Sequence, residues 1–185
     1  MEPLTPAVHL AAAGAVDADE LAAIAAQTFP LACPPSTPPD NIASFIDTNL
    51  SATRFAAYLS DPQRAILAAR QNGRIIGYAM LIRGVSDDPE VEQAVAIRPA
   101  AELSKIYLLP EHHGTGVSTA LTELTLATAA EWGAHCVWLG VNQENQRAQR
   151  FYVKSGFKIS GTRTFQVGDR RENDYVMVRE VSEQH

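Results

Sequence analysis

A strand-like run that stops at a proline and reopens as a helix behind two glycines constrains this chain more than any other feature. Leu103 to Leu109 reads as a strand and Pro110 ends it. Gly114 and Gly116 follow, and Val117, Leu121, Leu124 and Thr128 then recur at helical spacing. A strand, a glycine turn and a helix N-terminus in that order build an anion site. Glycine lets the backbone approach a phosphate closely, and the first free N–H groups of the helix point at it with the positive end of the dipole behind them. A phosphate-bearing cofactor is therefore the first expectation. The dinucleotide fingerprint G-x-G-x-x-G would need a third glycine at position 119, where Thr119 stands, and the G-K-[ST] tripeptide of phosphate-binding loops occurs nowhere in the chain. On this segment alone an ordinary glycine loop fits as well as a phosphate cradle.

The rest of the chain reads as an alternation of helices and strands. Val8 to Ala11 is a first strand, and Asp17 to Phe29 a first helix with Asp17 at its N-cap and Glu20 three residues on. Asp40 to Leu59 is a second helical segment. Ala65 to Gln71 and Arg74 to Arg83 are strands joined by Asn72-Gly73, a strong hairpin signal that argues against an all-parallel sheet. Cys136 to Val141 is a strand. Phe157 to Val167 and Asp174 to Val181 are two more around a turn at Gly168-Asp169. Pro30, Pro34, Pro35, Pro38 and Pro39 mark a connector between the two helical segments, and Asp87 to Gln93 reads as an acidic surface insertion.

Composition narrows the function classes. At 185 residues the chain is expected to be one domain, 1–185, able to bury an adequate core, and 46% apolar content fits a globular protein. No apolar run approaches the ~20 residues of a membrane span. No basic region followed by an apolar core opens the chain, so a cytoplasmic location is expected. A net charge of −6 argues against a nucleic-acid partner and suits a cationic substrate, although mild acidity also serves solubility alone. Cys33 and Cys136 read as free thiols, and no metal-ligand spacing is present, so no metal is expected. Trp138 reads as a core residue.

A second motif joins the glycine turn. Asn145, Ala148, Tyr152, Gly156 and Phe157 fall in the spacing N-x-x-A-x-x-x-Y-x-x-x-G-F after the Cys136 strand, and His113 to Ser118 runs close to [QR]-x-x-G-x-[GA] after the preceding one. This pair of segments resembles the GNAT superfamily of acyl-CoA-dependent N-acyltransferases, over nearly the whole chain. His113 stands where Gln or Arg is usual, and Ser118 replaces the last Gly or Ala. The resemblance implies an α/β GNAT fold: a mixed seven-stranded sheet, splayed between its fourth and fifth strands and flanked by about four helices. It implies acetyl-CoA as co-substrate, a small-molecule amine as acceptor and, as is common in the family, a homodimer.

Residue roles follow from the same resemblance. Backbone groups of His113, Gly114, Thr115, Gly116, Val117 and Ser118 would hold the pyrophosphate. Tyr107, Leu108 and Leu109 would offer the exposed strand edge to pantetheine, with the Leu108 N–H as donor to the thioester oxygen. Asn145 would cap its helix or touch pantetheine. Tyr152 would be the general acid, and Glu102, at the start of the fourth strand, the general base. His112 and His113 sit in the phosphate turn, where His113 would add positive charge. The proline connector is the expected substrate loop. Glu102-Leu103-Ser104-Lys105-Ile106-Tyr107-Leu108, Trp138-Leu139-Gly140-Val141 with Glu144-Asn145, and the stretch from Gly161 to Asp174 are further similar to PaiA-type spermidine/spermine acetyltransferases, which makes a polyamine the leading acceptor. A protein N-terminus or lysine is the alternative acceptor, and a non-catalytic acyl-CoA-binding regulator the alternative class.

Overall fold

The computed structural model describes residues 6–11, 15–167 and 170–181. Seven strands form one sheet: β1 (Ala7–Leu10), β2 (Arg64–Gln71), β3 (Arg74–Arg83), β4 (Ala100–Leu108), β5 (Cys136–Asn142), β6 (Lys158–Val167) and β7 (Arg170–Glu180), in the order β1-β2-β3-β4-β5-β7-β6. All neighbours are antiparallel except β4 and β5. That parallel pair extends over only Ala100↔Cys136, Ala101↔Val137 and Glu102↔Trp138. Beyond Glu102 the two strands part, which is the expected splay. The β2–β3 hairpin turns on Asn72 and Gly73, both at positive φ, 55° and 78°. The turn at Gly168-Asp169 lies outside the described residues.

Among the described residues six helices flank the sheet rather than about four: α1 (Ala15–Ala32), α2 (Pro39–Asn49), α3 (Ala52–Ser60), α4 (Pro89–Ala94), α5 (Val117–Glu131) and α6 (Gln146–Lys154). Two corrections account for the difference. The second helical segment breaks at Leu50, because Ser51 caps a new helix by accepting from the Arg54 N–H at 3.2 Å. The acidic insertion is not a plain surface loop. Asp88 caps α4, Pro89 opens it at the position that needs no N–H, and Val91 and Ala94 bury their side chains. The prolines also cut less than expected. Helix α1 continues through Pro30 to Ala32, since one proline near a helix end forfeits one hydrogen bond and not the whole turn. Pro38 and Pro39 start α2 instead of excluding it. The irregular connector shrinks to residues 33–38.

The sheet packs on both faces. Leu103, Leu108, Leu121, Ala129 and Phe157 belong to the core under α5. Leu21, Phe29, Phe55, Tyr78 and Met80 belong to the core under α1 and α3. Trp138 is fully buried in a third cluster with Val91 and Val95, its indole N–H donating to the Gly84 carbonyl at 3.1 Å, so its core reading holds. Strand β4 carries a bulge: Met80 pairs with Lys105 and Leu81 with Leu103, leaving Ser104 as the extra residue. Leu103 and Ile106 face the α5 core on either side of it. The bulge therefore turns Glu102 and Lys105, three positions apart, to the same opposite face.

Candidate functional site

A cleft of about 680 Å³ opens where β4 and β5 part. One half is made by the glycine turn, the start of α5 and helix α6. The other is made by the end of α1, the 33–38 connector and strands β6 and β7. A second cavity, about 300 Å³, lies between Arg83, Arg98 and Trp132, away from the glycine turn.

The phosphate half follows from local sequence. Pro110–His112 forms one 3₁₀ turn after β4. Gly114 and Gly116 then adopt φ of +80° and +89°, a region that costs other residues ~1–2 kcal/mol. Gly116 is the N-cap of α5 and no side chain caps that end. The first amides of α5 therefore have no intrahelical acceptor and face the turn, as an anion requires. A Cβ on either glycine would meet open space, so backbone conformation and not crowding selects glycine there. Gly114, Gly116, Ser118 and Thr119 line the cleft. Val117 is buried in the core, and the Thr115 hydroxyl donates to the His112 carbonyl, so these two can serve the turn only through backbone. The donor set fits a pyrophosphate.

His113 is held at both ring nitrogens. One ring nitrogen, Nε2, lies 3.0 Å from the Leu108 carbonyl, and Nδ1 lies 2.7 Å from Arg147 Nη2. A carbonyl only accepts and a guanidinium only donates. Both ring nitrogens of His113 are thus taken up, one by the strand end and one by the guanidinium. The cation at the cradle is Arg147, which the sequence reading passed over as a variable position inside the α6 motif.

The strand edge narrows as well. The Leu109 N–H donates to the Ile76 carbonyl at 2.9 Å, so it is committed to β3. Alternation turns the Tyr107 amide the same way and the Leu108 amide the opposite way, into the fork. Among these three, Leu108 alone presents a backbone donor to the cleft. Asn145 caps α6, its Oδ1 accepting from the Ala148 N–H at 3.1 Å, and it lines the cleft too.

Tyr152 rises from α6 into the cleft, its ring edge-on to Phe157 at 5.8 Å and to Phe151 at 5.5 Å. Burial pushes its phenol well above the ordinary range. Tyr107 lies on the same wall, 5.9 Å from Tyr78 and 6.4 Å from Phe29 between ring centres, and burial raises it likewise. Glu102 stands at the last paired position before the fork. Burial raises its carboxyl, and Arg163, Lys105 and Arg64 pull it back down. Lys105 is lowered to about 8, chiefly by burial, with Glu102 opposing.

The remaining polar wall was not foreseen. Arg163 on β6 pairs with Asp174 on β7 at 3.2 Å and lies 5.6 Å over Trp138. It occupies the space that a side chain at position 140 would fill, since a Cβ on Gly140 would overlap its guanidinium. Glu172, two residues from Asp174 on the same face of β7, is buried at the cleft wall. The expected substrate loop does reach the site: Cys33 and Pro34 line the cleft, and the Ser36 carbonyl accepts from Arg170 on β7. Cys33 and Cys136 are both free thiols.

Comparison with known proteins agrees with this geometry. Residues 20–157 match the model of the acetyltransferase (GNAT) family. An N-acetyltransferase of Mycobacterium tuberculosis, described as uncharacterized, is 67% identical over 165 residues, covering 89% of this chain and 98% of its own. Among solved structures, the PaiA N-acetyltransferase of Thermoplasma acidophilum in complex with coenzyme A superposes with a TM-score of 0.74 at 18% identity, covering 96% of this chain and 99% of the other. The ribosomal-protein-S18-alanine N-acetyltransferase of Escherichia coli gives 0.66 at 20% identity, covering 98% and 97%. At those identities the likeness is one of fold. The chain belongs to the GNAT family of acetyltransferases. It is an acetyl-CoA-dependent N-acetyltransferase. Among the described residues no helix is long and apolar enough to cross a membrane.

Proposed function

We propose that the protein moves the acetyl group of acetyl-CoA to a primary amine of a small, multiply charged cation, a polyamine or a compound like it. One observation carries this reading. A single cleft joins an uncapped helix N-terminus behind two positive-φ glycines to a wall holding Glu102, Glu172 and Asp174. The first half suits an anionic cofactor and the second a cationic acceptor. The similarity of the β4 and β5 phrases to PaiA-type enzymes points the same way.

Acetyl-CoA, when bound, supplies the acetyl group as an activated thioester. The amides of the glycine turn and of the start of α5 hold its pyrophosphate. The Leu108 N–H, aimed into the fork, donates to the thioester oxygen as charge develops there. Ionised Glu102 accepts the proton that the acceptor ammonium must lose before its nitrogen can attack. The neighbouring Lys105 ammonium favours that ionised form. As the carbon–nitrogen bond forms and the carbon–sulfur bond breaks, the Tyr152 hydroxyl gives its proton to the sulfur, and the surplus proton on the new amide nitrogen passes through water to restore the tyrosine hydroxyl. Burial keeps that phenol protonated across the working range. Positioning two reactants in one cleft provides the remaining advantage.

The experiment is free-thiol release from acetyl-CoA over spermidine, spermine, short diamines, amino acids and N-terminal peptides. Polyamine-dependent release supports the reading. Release that requires a peptide would reassign the acceptor to a protein N-terminus or lysine. Coenzyme A binding without release on any acceptor would favour a binding regulator.

A further inference from the structure

Glu172 carries a buried carboxylate oxygen that its neighbouring cation does not hydrogen-bond. Its side chain is 7% exposed, yet Oε1 has no hydrogen-bond partner among the described residues. The nearest cation is Arg170 Nε at 3.7 Å, beyond hydrogen-bond length. Arg170 is itself 39% exposed and drawn aside to donate to the Ser36 carbonyl. The other oxygen, Oε2, receives only a long contact of 3.5 Å from Asn142 Nδ2. A buried carboxylate left this way is costly unless something completes it, because desolvation removes the water that would otherwise bind it.

The surroundings say what would complete it. Glu172 lies at the wall of the acceptor half of the cleft, near Cys33 just after α1. The neighbouring carboxylate, Asp174, is already engaged by Arg163 at 3.2 Å, with side chains 5% and 14% exposed. Glu102 has Lys105 beside it. Of the three carboxylates in this wall, Glu172 has the oxygen that is buried without a hydrogen bond among the described residues, its ion pair being the 3.7 Å contact to Arg170. We propose that Glu172 is the receptor for a second ammonium of the acceptor, held while the first ammonium is acetylated. The site therefore selects diamines over monoamines. Arg170 closes the outer side of the subsite through its bond to the 33–38 connector.

This inference rests on acetyl transfer to small amines, and its test separates the two. The first reading is kcat/KM for 1,4-diaminobutane against butylamine, in the wild type and in Glu172→Gln. The wild type is expected to prefer the diamine at least tenfold, and Glu172→Gln to lose that preference at least tenfold. Glu172→Asp, which keeps the charge on a shorter arm, is expected to restore part of it. Loss shared equally by the two amines, or no preference in the wild type, would overturn the proposal. The second reading needs no turnover: calorimetric binding of 1,4-diaminobutane to the coenzyme A-loaded protein, expected to weaken at least tenfold in Glu172→Gln. Equal affinity in both proteins would overturn the subsite even if acetyl transfer occurs. A diamine bound through Glu172 but never acetylated would overturn the proposed reaction and leave the subsite standing.

Discussion

Replacing Tyr152 with Phe removes one oxygen from the cleft and little else. The ring stays where it is, because its contacts are with the Phe157 and Phe151 rings and the core under α5, none of which involves the hydroxyl. That hydroxyl makes no hydrogen bond among the described residues. Its loss therefore leaves no orphaned partner, and stability should stay within ~0.5 kcal/mol. The chemical cost should be far larger. A positioned general acid contributes about 10²- to 10⁴-fold, or ~3–5 kcal/mol of barrier, and the thiolate would have to leave unprotonated or take its proton from water. The expected result is a kcat lowered at least a hundredfold, an unchanged acetyl-CoA dissociation constant by calorimetry and an unchanged melting temperature. The pH profile adds a sign. Because burial raises the phenol, the group stays protonated well past pH 10, so it should cause no alkaline fall in kcat below that pH. A kcat retained within about threefold, with the other readings as stated, would refute the acid role and leave Tyr152 as a packing residue.

Gly116→Ala should cost ~1–2 kcal/mol because Cβ disfavours φ near +89°, and coenzyme A binding by calorimetry should weaken about tenfold or more as the turn readjusts. Activity should fall on the acid side as Glu102 takes up its proton, at a pH higher than an ordinary glutamate would show; Lys105→Met removes a charge that pulls Glu102 down, so the acid limb of kcat/KM should move to still higher pH. An acid limb that moves down or stays put in that variant would exclude Glu102 as the titrating base. Gly140→Ala should displace the Arg163 guanidinium from Asp174 and raise KM for the amine several-fold, leaving coenzyme A affinity unchanged in a parallel titration. Tyr78→Phe deletes a buried hydroxyl with no hydrogen bond among the described residues and should stabilise by ~1 kcal/mol in chemical denaturation, where a loss would reveal a partner for that oxygen.

The parts of the site that the sequence shows are those built from neighbours along the chain. The glycine turn, the Leu108 edge and the Asn145–Tyr152 spacing each occupy one short segment, so their geometry is set by local conformation and their pattern survives in one dimension. Six helices in place of four is a smaller discrepancy of the same origin: Ser51 and Asp88 are ordinary capping residues, but nothing local says that a six-residue helix at 89–94 will find an apolar seat for Val91. The opposite wall of the cleft has no such pattern. Lys105 reaches Glu102 only because a bulge at Ser104 shifts the alternation, and a bulge is a property of two strands together. Arg163, Glu172 and Asp174 look like ordinary polar positions of an outer hairpin until β7 inserts between β5 and β6 and turns one of its faces to the fork. Arg147 is the one omission with a local clue. With His113 in a place that usually holds Gln or Arg, some other residue has to bring the charge, and the first cation of α6 is the nearest in the paired motif.

The same division explains why the reaction class is easier to read than the acceptor. A thioester cofactor of fixed shape is met by backbone groups, and backbone groups depend on turn and helix geometry that many side chains allow. His113 and Ser118 can therefore depart from the family pattern without removing a single amide from the cradle. An acceptor is met by side chains, and here those come from β4, β6 and β7 and from the connector after α1, segments up to about 140 positions apart that share only a place beside the fork. Each of those carboxylates is tolerable as buried only in the company it finds there: Asp174 with Arg163, Glu102 with Lys105. Glu172 has Arg170 at 3.7 Å, too far to hydrogen-bond its buried oxygen. Variation at positions 163, 172 and 174 should accordingly change which amine is used, whereas variation at 114 and 116 should lower use of every amine together. A Glu172→Gln protein with altered amine ranking but intact coenzyme A affinity, set against a Gly116→Ala protein with reduced affinity and unaltered ranking, would separate the two halves of the cleft in one pair of titrations.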